Sequence, residues 1–303
     1  MGPADRERLP IPAAGVPIFP AGPGQTGVVS SAPRAARLAG LVVLVYALLR
    51  LPADADTAPG TLSILQLNMC GNACETRFAV VDDLEAEIAS RGRPPFVLTL
   101  NEVCRGQYDR LLANLPYHGH FEPTLRNRCW DGSDYGAAVL VRSSDVAYAG
   151  SARLPAPAGG EPRTVTCVRT AVQGRPLVAC ATHLDTDPAN TASQVAAVAE
   201  HAGAFRADAA VVVGGDFNTT PGRPLLHPMD AGFVEADAAD DAFTGGCSRD
   251  RCGDGPGYAH PTRKIDYVFL SRGDFTGVSA LVSSAPHSDH TPLWATATLA
   301  PAR

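Results

Sequence analysis

Asp216 and Asn218 stand two positions apart where the run Val211-Val212-Val213-Gly214-Gly215 ends. In an extended chain such residues face the same side, so a carboxylate and a carboxamide point together beyond the strand. That pair could hold a divalent cation and a phosphate, or orient an attacking water. Further polar clusters also end apolar runs: Asn68, Asn101-Glu102, His183 with Asp185, and Asp289-His290, with Asp266 inside Lys264-Ile265-Asp266-Tyr267-Val268-Phe269. Carboxylates can activate water or bind cations, and imidazoles can move protons or stabilise anions. Singly, each has a plain structural explanation. Asp216-Phe217-Asn218 could be an Asx turn, Asn68 a turn cap, Glu102 a solvated strand end and His183 a satisfied buried histidine. Asp266 could pair with Lys264 or Arg263. Six clusters in one chain favour a shared site.

The elements that must position them follow from periodicity. The three valines predict a buried strand, with the two glycines ending it in a tight turn. Thr61 to Leu67 and Phe96 to Leu100 read as strands, each followed by a helix, over Arg77–Ser90 and from Arg105 to about Leu115. Tyr117–Phe121, Tyr135–Val141, Val146–Leu154, Arg163–Val172 and Pro176–Leu184 read as successive strands, with Gln173-Gly174 a hairpin turn. A helix from Ala189 to about Arg206 precedes the valine strand. Residues 222–262 read as loop, and strands over Ile265–Leu270, Gly277–Ser283 and Thr291–Leu299 close the chain. Strands with interspersed helices, and polar clusters at strand ends, suggest two packed sheets with helices outside.

The 303 residues are 45% hydrophobic and 18% charged, enough for a sizeable core. A net charge of −6 argues against a nucleic-acid packaging protein but leaves room for a local basic groove. The eight cysteines form no CxxC pair and match no zinc-finger spacing, which favours disulfides and an oxidising compartment. The expected pairs are Cys70–Cys74, Cys104–Cys129, Cys167–Cys180 and Cys247–Cys252. Residues 1–37, rich in Pro, Gly and Ala, read as a disordered leader. Residues 38–55 combine a positive flank, an apolar run too short for a comfortable span and Ala53-Asp54-Ala55, the pattern of a secretory signal. A start near Val28 or Val29 would shorten the atypical leader; an uncleaved anchor at the outer face of the membrane, or a buried helix, is the alternative. A mature, secreted domain then spans 56–303, with no membrane insertion of its own.

The ordered set Gln66-x-Asn68, Asn101-Glu102, Thr182-His183-Leu184-Asp185, Gly215-Asp216-Phe217-Asn218, Ile265-Asp266-Tyr267 and Ser288-Asp289-His290 resembles the endonuclease/exonuclease/phosphatase superfamily. Deoxyribonuclease I, abasic-site endonucleases, neutral sphingomyelinases and inositol-polyphosphate 5-phosphatases belong to it. The resemblance runs from Leu62 to about Thr298. It implies a four-layer α/β sandwich, two mixed β-sheets packed face to face with flanking helices. It also implies Glu102 as the principal Mg²⁺ ligand, assisted by Asn68 and Asp289; oxygen donors of this kind also suit Mn²⁺ or Ca²⁺. Asp216 and Asn218 would position and deprotonate water and contact the phosphate. His290 would act on the scissile phosphate, oriented by Asp266. His183 would bond a phosphate oxygen or assist the leaving group, and Tyr135 would contact phosphate. The cysteines depart from the pattern. Cys70 stands where abasic-site endonucleases usually carry an acidic residue, which, with export, weakens a DNA-repair reading.

Three functions stay open. The first is a secreted, monomeric, metal-dependent nuclease whose groove is lined by Arg105, Arg126, Arg128 and Arg142. The second is a phosphoesterase acting on lipid head groups or small phosphates, with Trp130 on a loop near the site. The third is a catalytically inactive binding module, against which the retention of every acid and histidine position argues.

Overall fold

The computed structural model describes residues 60–74, 77–221, 223–238, 263–285 and 287–301. Residues 1–59 and the pair Cys247–Cys252 lie outside the described residues. In chain order the elements are β1 (Thr61–Asn68), α1 (Ala79–Ser90), β2 (Val97–Cys104), α2 (Arg105–Asn114), β3 (His118–Leu125), β4 (Tyr135–Val141), β5 (Ala147–Arg153), β6 (Thr164–Val172) and β7 (Arg175–His183). Then come α3 (Pro188–Ala204), β8 (Ala210–Asp216), α4 (His227–Asp230), β9 (Phe233–Glu235), β10 (Asp266–Ser271), β11 (Phe275–Val282) and β12 (Leu293–Leu299). One sheet runs β11-β12-β1-β2-β4-β3 and the other β5-β6-β7-β8-β10-β9. Both are mixed: β1–β2 and β7–β8 pair in parallel, and the remaining neighbours are antiparallel.

Residues alternate between the two faces of each strand, and in the central strands the inward row is apolar at one end and polar at the other. On β1 it reads Leu62, Ile64, then Gln66 and Asn68; on β2, Val97, then Thr99 and Asn101. On β7 it reads Leu177, Ala179, Ala181, then His183; on β8, Ala210, Val212, then Gly214 and Asp216. On the antiparallel β10 it reads Leu270, Val268, then Asp266. The apolar ends pack face to face and hold the sheets together. Each fully buried Leu or Val contributes about 1.5–3 kcal/mol relative to exposure. The polar ends gather at one rim of the sandwich.

The outward rows are covered by helices. Val80, Val81, Leu84 and Ile88 of α1, with Tyr108 and Leu111 of α2, pack on Leu65, Leu67, Leu98 and Leu100. Val195, Val198 and Ala202 of α3, with Met229 of α4, pack on Val211, Val213 and Phe269. The result is the expected four-layer α/β sandwich. Asp187 caps α3 by accepting from the Ala189 amide (2.9 Å), with Pro188 at its first position.

Three expected disulfides are present: Cys70–Cys74, Cys104–Cys129 and Cys167–Cys180. Cys167 and Cys180 are direct cross-strand partners in the β6–β7 hairpin, whose turn, Gln173-Gly174, has positive φ at both residues. Three local expectations differ. Gly214 and Gly215 do not turn the chain; they lie inside β8, where a Cβ would collide with the Thr99 side chain of the facing sheet and with the Thr182 carbonyl. Strand β2 continues past Leu100 to Cys104 through a register shift. The stretch read as loop contains α4 and the three-residue edge strand β9.

Candidate active site

Strand register assembles the site. Asp216, the last residue of β8, is the Cα partner of both His183 on β7 and Asp266 on β10. On the facing sheet, Asn68 ends β1 beside Asn101 of β2. The two sheets touch where the Asn68 side-chain nitrogen donates to Asp216 Oδ2 (3.2 Å), and the same nitrogen donates to Glu102 Oε1 (3.0 Å) of its own sheet. Strand alternation alone would turn Glu102 away from Asn101. The register shift after Leu100 and a left-handed backbone (φ +50) at Glu102 bring its carboxylate round. Such a conformation costs a non-glycine residue on the order of 1–3 kcal/mol and is held by its surroundings. Asn218 is also left-handed (φ +49), which Asn tolerates better, and its amide donates to Asp216 Oδ1 (2.8 Å).

His290 is clamped from behind. Its Nδ1 donates to Asp266 Oδ2 at 2.6 Å, while Nε2 stands 3.6 Å from Asp216 Oδ2 and 4.0 Å from Asp289 Oδ1. Burial disfavours charge on His290, but the Asp266 carboxylate outweighs it, with Asp216 and Asp289 assisting, and raises its pKa to about 10. Asp216, 2% exposed, is pushed up to about 7 by burial and by the Asp266 charge, against the pull of His290 and the bonds from Asn218 and Asn68. Ser288 ties this segment to β1: its hydroxyl donates to the Asn68 carbonyl (2.7 Å) and accepts the His290 amide (3.0 Å).

A buried polar ladder supports the front row. Thr99 Oγ1 donates to Gln66 Oε1 (2.7 Å), and Gln66 Nε2 donates to Asn101 Oδ1 (2.7 Å) and Asp266 Oδ1 (3.2 Å). Asn101 Oδ1 also accepts the Asp216 amide (3.0 Å), and its Nδ2 donates to the Thr182 carbonyl (2.6 Å). Asp266, wholly buried, is therefore held on both oxygens. It pairs with His290 rather than with its sequence neighbours: Lys264 instead bonds the Asp237 carbonyl and pairs with Glu235 and Asp237. The motif set contains Gln66 and Asn101 without a role for either, and Thr99 lies outside it. Their signal is polarity on the inward row of strands that are otherwise apolar.

A cavity of about 430 Å³ opens over these groups, lined by Glu102, Tyr135, His183, Asp216, Asn218, Asp289 and His290 among others. Burial, followed by the nearby Glu102 charge, holds the Tyr135 hydroxyl pKa well above the usual tyrosine range. Burial, then the charges of Arg163 and His290, push His183 well below the usual histidine range. Asp185 serves the turn into α3, accepting from the Asp187 amide (3.0 Å) and Asn190 Nδ2 (3.1 Å).

The expected arginine groove is not one surface. Arg128 lines the cavity, joined there by Arg163 and Arg263, but Arg105 and Arg126 pair with Asp109 and Asp134 at 2.8 and 3.3 Å. Arg142 lies in a second pocket with Arg91, Arg93 and Trp294. Trp130 is 37% exposed, stacks edge-on against Phe78 and does not line the cavity.

A family model described as the Endonuclease/Exonuclease/phosphatase family matches residues 65–290, which contain every residue of this constellation. The chain belongs to that family. Among curated proteins no sequence match reaches significance. Solved structures with the same fold include the human Nocturnin catalytic domain with bound sulfate, at 19% identity, TM-score 0.59, covering 80% of this chain and 96% of that one. D. rerio TDP2 complexed with a single-strand DNA product matches at 18% identity and TM-score 0.60, over 78% of this chain and 99% of that one. An endonuclease/exonuclease/phosphatase from Beutenbergia cavernae DSM 12333 matches at 24% identity and TM-score 0.58, over 79% and 72%.

The donor set of this family member fits a hard cation. Cys70, Cys74 and Asp289 cluster, but both sulfurs are spent in a disulfide and offer no thiolate. The Asp216–Asp266–His290 group is already an internal hydrogen-bonded Asp266–His290 pair with a second carboxylate beside it. Glu102 and Asp289 instead face one cavity with part-exposed carboxylates. Burial raises the Asp289 carboxyl; His290 offsets part of this and the Glu102 charge adds to it. A divalent cation between oxygen donors would relieve that repulsion. Asn68 Oδ1 accepts the Cys70 amide at 3.0 Å, leaving one lone pair.

Proposed function

We propose that this chain is a metal-dependent phosphodiesterase that hydrolyses nucleic acid by in-line attack of water. The observation that carries this reading is Asp216: a buried carboxyl with a pKa near 7, set between His183 and Asp266 and facing the charged His290. Family membership and the fold shared with DNA-bound TDP2 support the substrate class. Glu102 and Asp289, with Asn68, would hold Mg²⁺, with Mn²⁺ or Ca²⁺ as alternatives. The bound cation supplies Lewis-acid polarisation of a phosphoryl oxygen.

The protein's own groups do the rest. Asp216, its Oδ1 fixed by the Asn218 amide, takes the proton of the attacking water through Oδ2. His290, kept charged by Asp266, stabilises negative charge as it builds on the non-bridging oxygens. Tyr135 and the Asn218 carboxamide contribute neutral donors to the same oxygens. The cavity lining favours this reading over the phospholipid one, since carboxylates, histidines and arginines dominate it and exposed Trp130 stands elsewhere. The chromogenic diester bis(p-nitrophenyl) phosphate tests the reaction type. Turnover should require Mg²⁺, stop with EDTA, and need a higher Mg²⁺ concentration in Glu102→Gln. Turnover indifferent to EDTA would refute the metal-dependent reading.

Three disulfides support an oxidising compartment, and no described helix is long and apolar enough to cross a membrane. We read residues 38–55 as a cleaved signal and 56–303 as the exported domain. Sequencing the N-terminus of protein recovered outside the cell should find a start at or near Asp56. Intact protein retained on the membrane would favour the anchor.

A further inference from the structure

Arg163, just before β6, is 8% exposed, and its Nη1 lies 2.8 Å from His183 Nδ1 and 3.1 Å from Glu161 Oε1. A guanidinium is always charged and only donates. Nδ1 of His183 must therefore accept, and a neutral imidazole that accepts at one nitrogen carries its proton on the other. That other nitrogen, Nε2, faces the cavity, 3.7 Å from Asp216 Oδ2 and 3.9 Å from Glu102 Oε1. Its nearest polar neighbour is Asn218 Nδ2 at 3.3 Å, an atom that already donates to the Leu184 carbonyl (3.0 Å). The opposite tautomer would satisfy the Asn218 contact but set two N–H groups head to head at Arg163.

We propose that Arg163 is a positioning residue that fixes His183 as its Nε2–H tautomer, so that Nε2–H and the second Asn218 Nδ2–H form a two-donor cradle for one phosphoryl oxygen. His183 is then a preset neutral donor, and His290 alone supplies imidazolium charge. Neither cradle nitrogen changes protonation during the reaction, so the cradle stays constant while Asp216 takes up the water's proton beside it. The ligand of the cradle rests on the phosphodiesterase reading; the tautomer does not.

The test is the tautomer itself. In ¹⁵N-labelled protein, with and without Mg²⁺, the two ring nitrogens of His183 are assigned against His183→Gln. Nδ1 is expected in the unprotonated range and Nε2 in the protonated range. Arg163→Met should move protonation toward Nδ1 and lower kcat by about 10²-fold, the scale of losing one preset donor, with a smaller change in KM. Arg163→Lys, which keeps a donor, should restore part of both. A protonated Nδ1 in the unaltered protein would overturn the proposal, as would an unchanged spectrum in Arg163→Met. If Arg163→Met does not fold, the spectrum of the unaltered protein still decides. Absence of diester hydrolysis with the predicted tautomer present would sink the functional reading and leave the tautomer assignment standing.

Discussion

Two carboxylates and one imidazole share a space of a few ångströms, and their proton affinities are set by one another. Asp266 raises both the His290 and the Asp216 pKa, the first by attraction and the second by repulsion. Asp216 must be unprotonated to accept a proton, so activity should rise through about pH 7; His290 acts charged, so activity should fall near pH 10. A cation beside Glu102 and Asp289 would draw the acid limb lower. Asp266→Asn removes both influences, so both limbs should move down and kcat should fall about 10²–10⁴-fold. A pH–rate profile of the variant checks this; an alkaline limb that stays put would contradict the assigned pairing. At this scale the front row was legible in the sequence: Asn68, Glu102, His183, Asp216, Asn218, Asp266, Asp289 and His290 all reach one rim. Arg163 was not, because its partner lies 20 residues away across a strand pair and no local pattern marks it. Thr99 sits among apolar neighbours and reads as ordinary strand until the facing sheet is in place, while Gln66 and Asn101, visible as motif residues, show their supporting role only in the hydrogen-bonded ladder.

The elements explain why those side chains converge. Period-2 alternation carries each inward row from core to site without a change of direction, so long apolar strands with a polar last residue were readable. What alternation could not show is where it breaks. Glu102 needs a register shift and a left-handed backbone, and neither has a composition signal. Gly214-Gly215 suggested a turn because glycine usually marks one; here it lets the sheets approach at Thr99. Gly214→Ala should therefore overpack the contact and cost about 1–3 kcal/mol, measured by urea unfolding. A neutral result would mean that the sheets have room to spare. The edge strand β9 escaped notice because three residues are too few to show a period.

The whole molecule places a charged cavity at one end of two sheets whose other ends are apolar core. Its disulfides brace that end: Cys70–Cys74 closes the turn after Asn68, and Cys104–Cys129 ties the end of β2 to the loop before β4. The net charge of −6 says little about the substrate, because Arg128, Arg163 and Arg263 are drawn to the cavity while Arg105 and Arg126 are paired off outside it. The most direct test of the account offers supercoiled plasmid to the purified protein, with Mg²⁺ and with EDTA, beside Asp216→Ala. The account predicts nicking that needs the metal and is lost in Asp216→Ala. Intact plasmid from a folded protein that releases phosphocholine from sphingomyelin vesicles would contradict the nucleic-acid reading, and nicking retained by Asp216→Ala would contradict the site.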